Sequence, residues 1–503
     1  MFKKTGKSKL LKEAVVIMLC AAVMLVGTLG SSLALAEKRF EGVEITVFTQ
    51  TPPFIAKPVQ MFRADWERET GGKVRLITAP WGELYPKMFS SFAMGAKNYD
   101  IIIFPAAYLA DFASNGFLAP LDSFIARDPK IDWGDILPVY REKISTYAGT
   151  IYAITMDGDS HMFYYRRDAI ENPEHQAKFK AKYGYDLAPP KTWVEVRDVA
   201  EFFNGWDWDG DGRKEYGVVE GMRKGAQGFW TFFSRSAAYT SIPGQAQGLF
   251  FDPETMKPLI NCPGHVRGLE DWIEIIEFGV PGMINMDNGE VRSVYAAGEA
   301  ALAIDWGDVG VMSDTDPGST VKGKVGYSIL PGTTRAWDYV KESWVDFPGV
   351  NHAPYLAFGG WIAGIDAKSD NVEAAYDFLS FLGSPENSYI CVTTPQTGFN
   401  PYRKSHFEKL AGWYGYGFVH PEDYLGAIEA TIAHSNVQPD IRIPGAFRYF
   451  EALDAQLAMA LAGAKTAKQA LDAAAKEWEA ITEDLGREQQ LKNYRASLGL
   501  PIE

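Results

Sequence analysis

Between Gly42 and Pro105 the sequence alternates two hydrophobic rhythms, and that alternation limits the folds open to the chain. Gly42–Thr49 is β-branched and alternating, which reads as a strand. A helical pattern follows over Ala56–Thr70 and stops at Gly71-Gly72. Lys73–Thr78 reads as a second strand, Gly82–Met94 as a second helix, and Tyr99–Pro105 as a buried third strand. The order β-α-β-α-β requires a mostly parallel sheet with helices on both faces. In such sheets ligands bind beyond the carboxyl ends of the strands. Candidate contacts therefore lie just after Phe48, Ile77, Phe104 and Ile304, and at Gly360.

The rest of the chain continues in this style. A capping box, Thr192 to Glu195, opens a helix. Val266–Phe278, Gly289–Gly298, Asn371–Leu382 and much of Gly445–Gly486 read as helices; Ala300–Trp306, Val325–Leu330 and Gly360–Ile365 read as strands. Thr333–Phe358, rich in Trp, Tyr and Pro, reads as an irregular insertion. The 503 residues suffice for two to four domains, and 47% hydrophobic with 14% aromatic content excludes intrinsic disorder. A net charge of −15 argues against nucleic acid, which needs a positive field. With 14 Trp, some indoles are free to line a cleft.

The first residues read as an address. Lys3, Lys4, Lys7, Lys9 and Lys12 precede an uncharged run, Ala14–Ala36, that ends in Ala34-Leu-Ala36. A basic start, an apolar middle and a small-x-small site make an export signal cleaved after Ala36; an uncleaved anchor is the alternative. Five lysines and Glu13 leave with residues 1–36, so the net charge moves from −15 to −19. Cys262 and Cys391 remain, either bridged or as two buried thiols.

In order along the chain, Thr70-Gly-Gly-Lys-Val, Tyr99-Asp-Ile-Ile, Asn115-Gly-Phe-Leu-Ala-Pro-Leu, Tyr147-Ala-Gly-Thr-Ile-Tyr-Ala, Ala297-Gly-Glu-Ala-Ala-Leu-Ala-Ile-Asp-Trp-Gly and Thr397-Gly-Phe-Asn-Pro carry a resemblance. The chain resembles the solute-binding proteins of carbohydrate-type ABC importers, the group that includes maltose-binding protein. The resemblance implies an α/β fold of the periplasmic-binding-protein kind: two lobes, a ligand cleft between them, and several crossing strands. It divides the chain into lobe one (37–155 and 307–368) and lobe two (156–306 and 369–503). Crossings are expected near Tyr152–Tyr165, Leu302–Trp306 and Asp366–Ala374. It further implies a periplasmic or extracellular monomer that binds a sugar or polyol and delivers it to permease subunits in the membrane.

A sugar presents apolar faces to aromatic rings and hydroxyls to carboxylates, amides and guanidinium groups. Trp81, after the second strand, is a candidate platform. Phe104 stands where the maltose-binding relative carries a ligand-contacting aromatic, but Ala106 and Ala107 replace the neighbouring acid, which argues against maltodextrin. Asp159 lies at the first crossing and Trp230 where relatives place an aromatic. Asp305 and Trp306 end the second crossing strand, Gly360 and Trp361 open a returning strand, and Gln50 and Arg403 complete the set. Each has a structural alternative: a core tryptophan, a solvated turn acid, or for Arg403 a surface ion pair.

Asp207, Asp209 and Asp211, with Gly212 at the sixth position, have the spacing of a calcium loop, with a backbone carbonyl from Arg213 and Glu215 at the ninth. The twelfth position is Val218, so the bidentate glutamate of an EF-hand is missing. Structural Ca²⁺ is expected, against an Asp-Gly turn of solvated acids. No zinc motif, nucleophile elbow or phosphate loop occurs, so no enzyme is expected. A secreted glycoside hydrolase and a ligand-sensing receptor subunit are the alternatives.

Overall fold

A computed structural model describes residues 38–502 apart from Pro53, Gln247, Pro395 and Gln396, and the expected leader, 1–36, lies outside the described residues. In chain order the strands used below are β1 (Glu44–Gln50), β2 (Lys73–Ala79), β3 (Ile101–Pro105), β4 (Ala153–Thr155), β5 (Met162–Arg166), β6 (Tyr216–Glu220), β7 (Ala300–Asp305), β8 (Val325–Ser328), β9 (Thr333–Asp338), β10 (Ser343–Asn351) and β11 (Trp361–Ile365). The helices used below are α1 (Lys57–Thr70), α2 (Trp81–Met94), α3 (Trp193–Phe203), α4 (Gly228–Thr240), α5 (Asn288–Ala296), α6 (Asp308–Thr315), α7 (Val372–Gly383) and α8 (Pro421–Ile432).

Two sheets organise the molecule. The first has the order β2-β1-β3-β11-β4, with β1 parallel to β2 and β3, and β11 antiparallel to its neighbours. The second has the order β8-β5-β7-β6. Central strands are continuous apolar runs because both faces are covered: every residue of β3 and of β7 is buried. Each sheet with its helices forms one lobe. Thr192 caps α3 through the expected reciprocal box. Cys262 and Cys391 are free thiols. No helix among the described residues is long and apolar enough to cross a membrane.

The chain first crosses between lobes at 156–161, from β4 to β5. The other crossings differ from expectation. Val325–Ser328 pairs antiparallel with β5, so residues 307–330 stay with the second sheet rather than joining lobe one. The chain returns only at 357–360, into β11. Helix α7 then packs on α1, β4 and β11, which places 372–383 in lobe one, not lobe two. The last crossing falls between Ser405, bonded to Asp135, and α8, which packs on β8. Thr333–Phe358 is not irregular either. Most of it is an antiparallel ribbon, β9 with β10, in which Trp337 opposes Trp344.

Candidate functional site

A cavity of about 470 Å³ lies between the sheets. Strand ends supply its walls. Gln50 ends β1, Trp81 and Gly82 follow β2, Trp306 follows β7, and Trp361 opens β11. Loops and helix starts from lobe two add Arg223, Gln227, Asn288, Arg292 and Asp308. Phe358 and Asp159 enter from the two crossings.

The aromatic residues form one box. Trp81 meets Trp361 edge-on at 6.0 Å and Phe358 at 5.8 Å between ring centroids. Trp306 meets Phe358 at 6.3 Å, and its indole N–H donates to the Ala357 carbonyl at 3.0 Å. These ring contacts fix each side chain in place. Trp230 touches Trp81, Trp306 and Phe358 but is 2% exposed, with its N–H on Asp440 at 2.6 Å. It backs the box and does not line it.

The polar half is built from paired charges. Arg292 holds Asp305 at 2.9 Å and Asp308 at 3.1 Å. Asp305 also accepts from Asn288 at 3.1 Å and is fully buried, so from behind the wall it positions Arg292 and does not itself face a ligand. Burial pushes its carboxyl up to about 6, although Arg292 opposes the shift. Arg223 is neutralised by Asp287 and by Glu290. The side chains of Gln50 and Gln227 make no hydrogen bond among the described residues, which leaves both amides free for hydroxyls.

At the floor, Asn400 ties the first crossing together. Its N–H donates to Asp157 at 2.6 Å and its side-chain amide to Asp159 at 2.8 Å. Burial first, and the neighbouring Asp157 second, hold the Asp159 carboxyl well above the usual carboxylate range. Burial also raises Asp157, to about 7. Asp157 Oδ2 has no hydrogen-bond partner among the described residues. The second crossing is backbone-tight: Phe358, Gly359 and Gly360 have φ of 71°, 71° and 93°. A Cβ on Gly360 would stand 2.0 Å from the Asp157 carbonyl oxygen, so this glycine serves the contact between crossings and does not line the cavity.

Of the expected ligand contacts, Gln50, Trp81, Asp159, Trp306 and Trp361 meet in the cavity. Phe104 does not, because its ring packs inward on Phe112 at 5.2 Å. Arg403 does not either. It is fully buried in lobe one and donates to the carbonyls of Ile131 (3.0 Å), Asp132 (3.1 Å) and Gly383. Sequence reasoning missed Arg223, Asn288, Arg292, Asp308 and Phe358. Only Asp308 carried a signal, three residues past Asp305 at a helix start.

Away from the cavity, carboxylate oxygens of Asp207, Asp209, Asp211 and Glu215 lie within 4.8 Å of one another. Oxygens around one Ca²⁺ at 2.3–2.6 Å are at most about 5 Å apart, so the set fits that ion. The Arg213 guanidinium lies on Asp211 and, through that hydrogen bond, holds its carboxyl below the usual range.

The model of the family described as bacterial extracellular solute-binding protein matches residues 52–389. A probable ABC transporter-binding protein of Deinococcus radiodurans is 24% identical over 67% of this chain and 70% of its own. A solute-binding protein of Agrobacterium radiobacter K84, solved with ribitol, superposes with a TM-score of 0.70 at 24% identity, covering 88% of this chain and 100% of that one. A maltose-bound protein of T. maritima superposes with a TM-score of 0.68 at 22% identity over 88% and 100%.

Proposed function

The chain belongs to the bacterial extracellular solute-binding proteins, and from that premise we infer that it is the solute-binding component of an ABC importer for an uncharged sugar or polyol. The observation that carries the ligand class is the cavity itself: an indole and phenyl box beside two free glutamine amides and the Asp159 carboxyl, which burial biases toward its neutral form. Both arginines in the wall are already neutralised by carboxylates, so the site has no spare cation for a sugar acid. Relatives of similar fold were solved with ribitol and with maltose, which supports the same class.

The lobes close on the ligand about the crossings and present the closed face to membrane permease subunits. Export by a leader cleaved after Ala36 places the monomer in the periplasm or outside the cell. The Asp207 loop takes Ca²⁺ as a structural ion. A thermal-shift screen against neutral sugars, polyols and sugar acids, followed by calorimetry, tests the reading. Neutral ligands should stabilise and be recovered unchanged. Preference for a sugar acid would refute the ligand class, and released hydrolysis products would point to a hydrolase.

A further inference from the structure

A second cavity of about 160 Å³ lies between α6 in lobe two and Val392, Thr394 and Thr397–Asn400 in lobe one. It adjoins the main cavity, since Phe54, Asp308 and Gly398 line both. Its character is different. Val311, Met312, Val392 and Phe399 join Phe54 in its wall, and it holds no indole.

Among the described residues, the side-chain donors in its wall are already committed. Thr394 and Thr397 donate to the carbonyls of Ile390 (2.7 Å) and Cys391 (2.8 Å). Asn400 donates to Asp159 at 2.8 Å and accepts from Tyr424 at 3.3 Å. Asp308 is paired with Arg292 at 3.1 Å, and Asp316 accepts the Gly318 N–H at 2.7 Å. A hydroxyl placed here would leave water and find no free side-chain donor among the described residues. An apolar group needs no such partner and packs on Phe54, Val311, Met312, Val392 and Phe399. An apolar protein cavity of about 150 Å³ is known to accept benzene, so the volume suits one ring.

We propose that this annex binds the apolar aglycone of a glycoside whose sugar occupies the main cavity. The proposal rests on the sugar-binding reading above and adds to it a ligand with two chemically distinct ends, the polar one in the aromatic box and the apolar one against α6.

Calorimetry on the purified protein tests it with glucose, galactose and mannose beside their phenyl glycosides, and with ribitol and mannitol. For the sugar that binds, the phenyl glycoside should bind on the order of tenfold more tightly, from the added apolar burial. Met312→Trp fills the annex and should abolish that gain, leaving the free sugar within about twofold. Val311→Phe serves the same purpose if Met312→Trp melts early, and the wild-type comparison decides the matter if both do. The annex has no such role if the glycoside binds no more tightly than its sugar, if it is excluded, if only polyols bind, or if Met312→Trp keeps the gain. If no sugar, glycoside or polyol binds at all, the sugar-binding reading fails first and this one falls with it.

Discussion

Replacing Gly360 by alanine should damage both stability and binding, because the two crossings touch backbone to backbone at that point. At φ 93° an alanine pays the left-handed penalty, about 1–2 kcal/mol. Its Cβ would lie 2.0 Å from the Asp157 oxygen, roughly 1.3 Å inside ordinary carbon–oxygen contact. The obstacle is backbone, so no side chain can swing away. Relief requires the crossings to separate, which strains the N–H bonds of Met156 (2.9 Å) and Asp157 (3.1 Å) to the Trp361 carbonyl, at about 1 kcal/mol each. The sum is about 3–4 kcal/mol. Asp159 and Trp361 flank the contact and both line the cavity, so affinity should fall about tenfold or more, equivalent to at least ~1.4 kcal/mol. Gly359→Ala is the control. Its φ of 71° carries the same penalty, but the obstacle is Ile144 Cδ1 at 2.9 Å, the end of a flexible side chain. Its cost should stay near 1–2 kcal/mol. Urea denaturation measures the first quantity and calorimetry with a ligand from the screen measures the second. Equal costs for the two variants, or wild-type affinity in Gly360→Ala, would refute a crossing fixed by close backbone approach.

Trp306→Ala should cost about 3 kcal/mol of stability in urea titration and on the order of a hundredfold in affinity, since the ring is 3% exposed and also forms the box. His265 is buried between Ser236 and the Leu249 carbonyl, and burial pushes it down to about 4. The unfolded chain takes up this proton below pH 6.5 and the folded chain does not, so stability is lost as pH falls: about 2 kcal/mol between pH 7 and pH 5, absent from the corresponding pH series of His265→Gln. EDTA should lower the melting temperature by about 3 °C if the Asp207 loop binds Ca²⁺ at a hundredfold excess over Kd, and Asp207→Ala should remove the EDTA effect.

Local rhythm reports burial, and it therefore makes β1, β2, β3 and the helices between them legible. Sheet membership is not local. Val325–Ser328 looks the same whether it extends the first sheet or the second, and only its pairing with β5 decides. The ribbon at 333–351 reads as irregular because its half-exposed strands carry Trp, Arg and Pro rather than an apolar run. The site divides in the same way. Gln50, Trp81, Trp306 and Trp361 are legible because each stands at a strand end or just beyond it, where the topology of an α/β sheet opens a crevice. Phe104 and Arg403 fit similar rules and fail, because a position does not say which way a side chain turns. Phe112 draws one ring inward, and three backbone carbonyls with the Asp135 carboxylate hold the terminal nitrogens of a buried guanidinium. Arg292 is the converse case. It sits on a helix with no motif and becomes a cavity residue only because Asp305, thirteen residues later in the chain, holds it there. Strand ends thus identify the half of the site that stacks. The half that sorts ligands by charge depends on ion pairs between elements distant in sequence, which only the folded chain assembles.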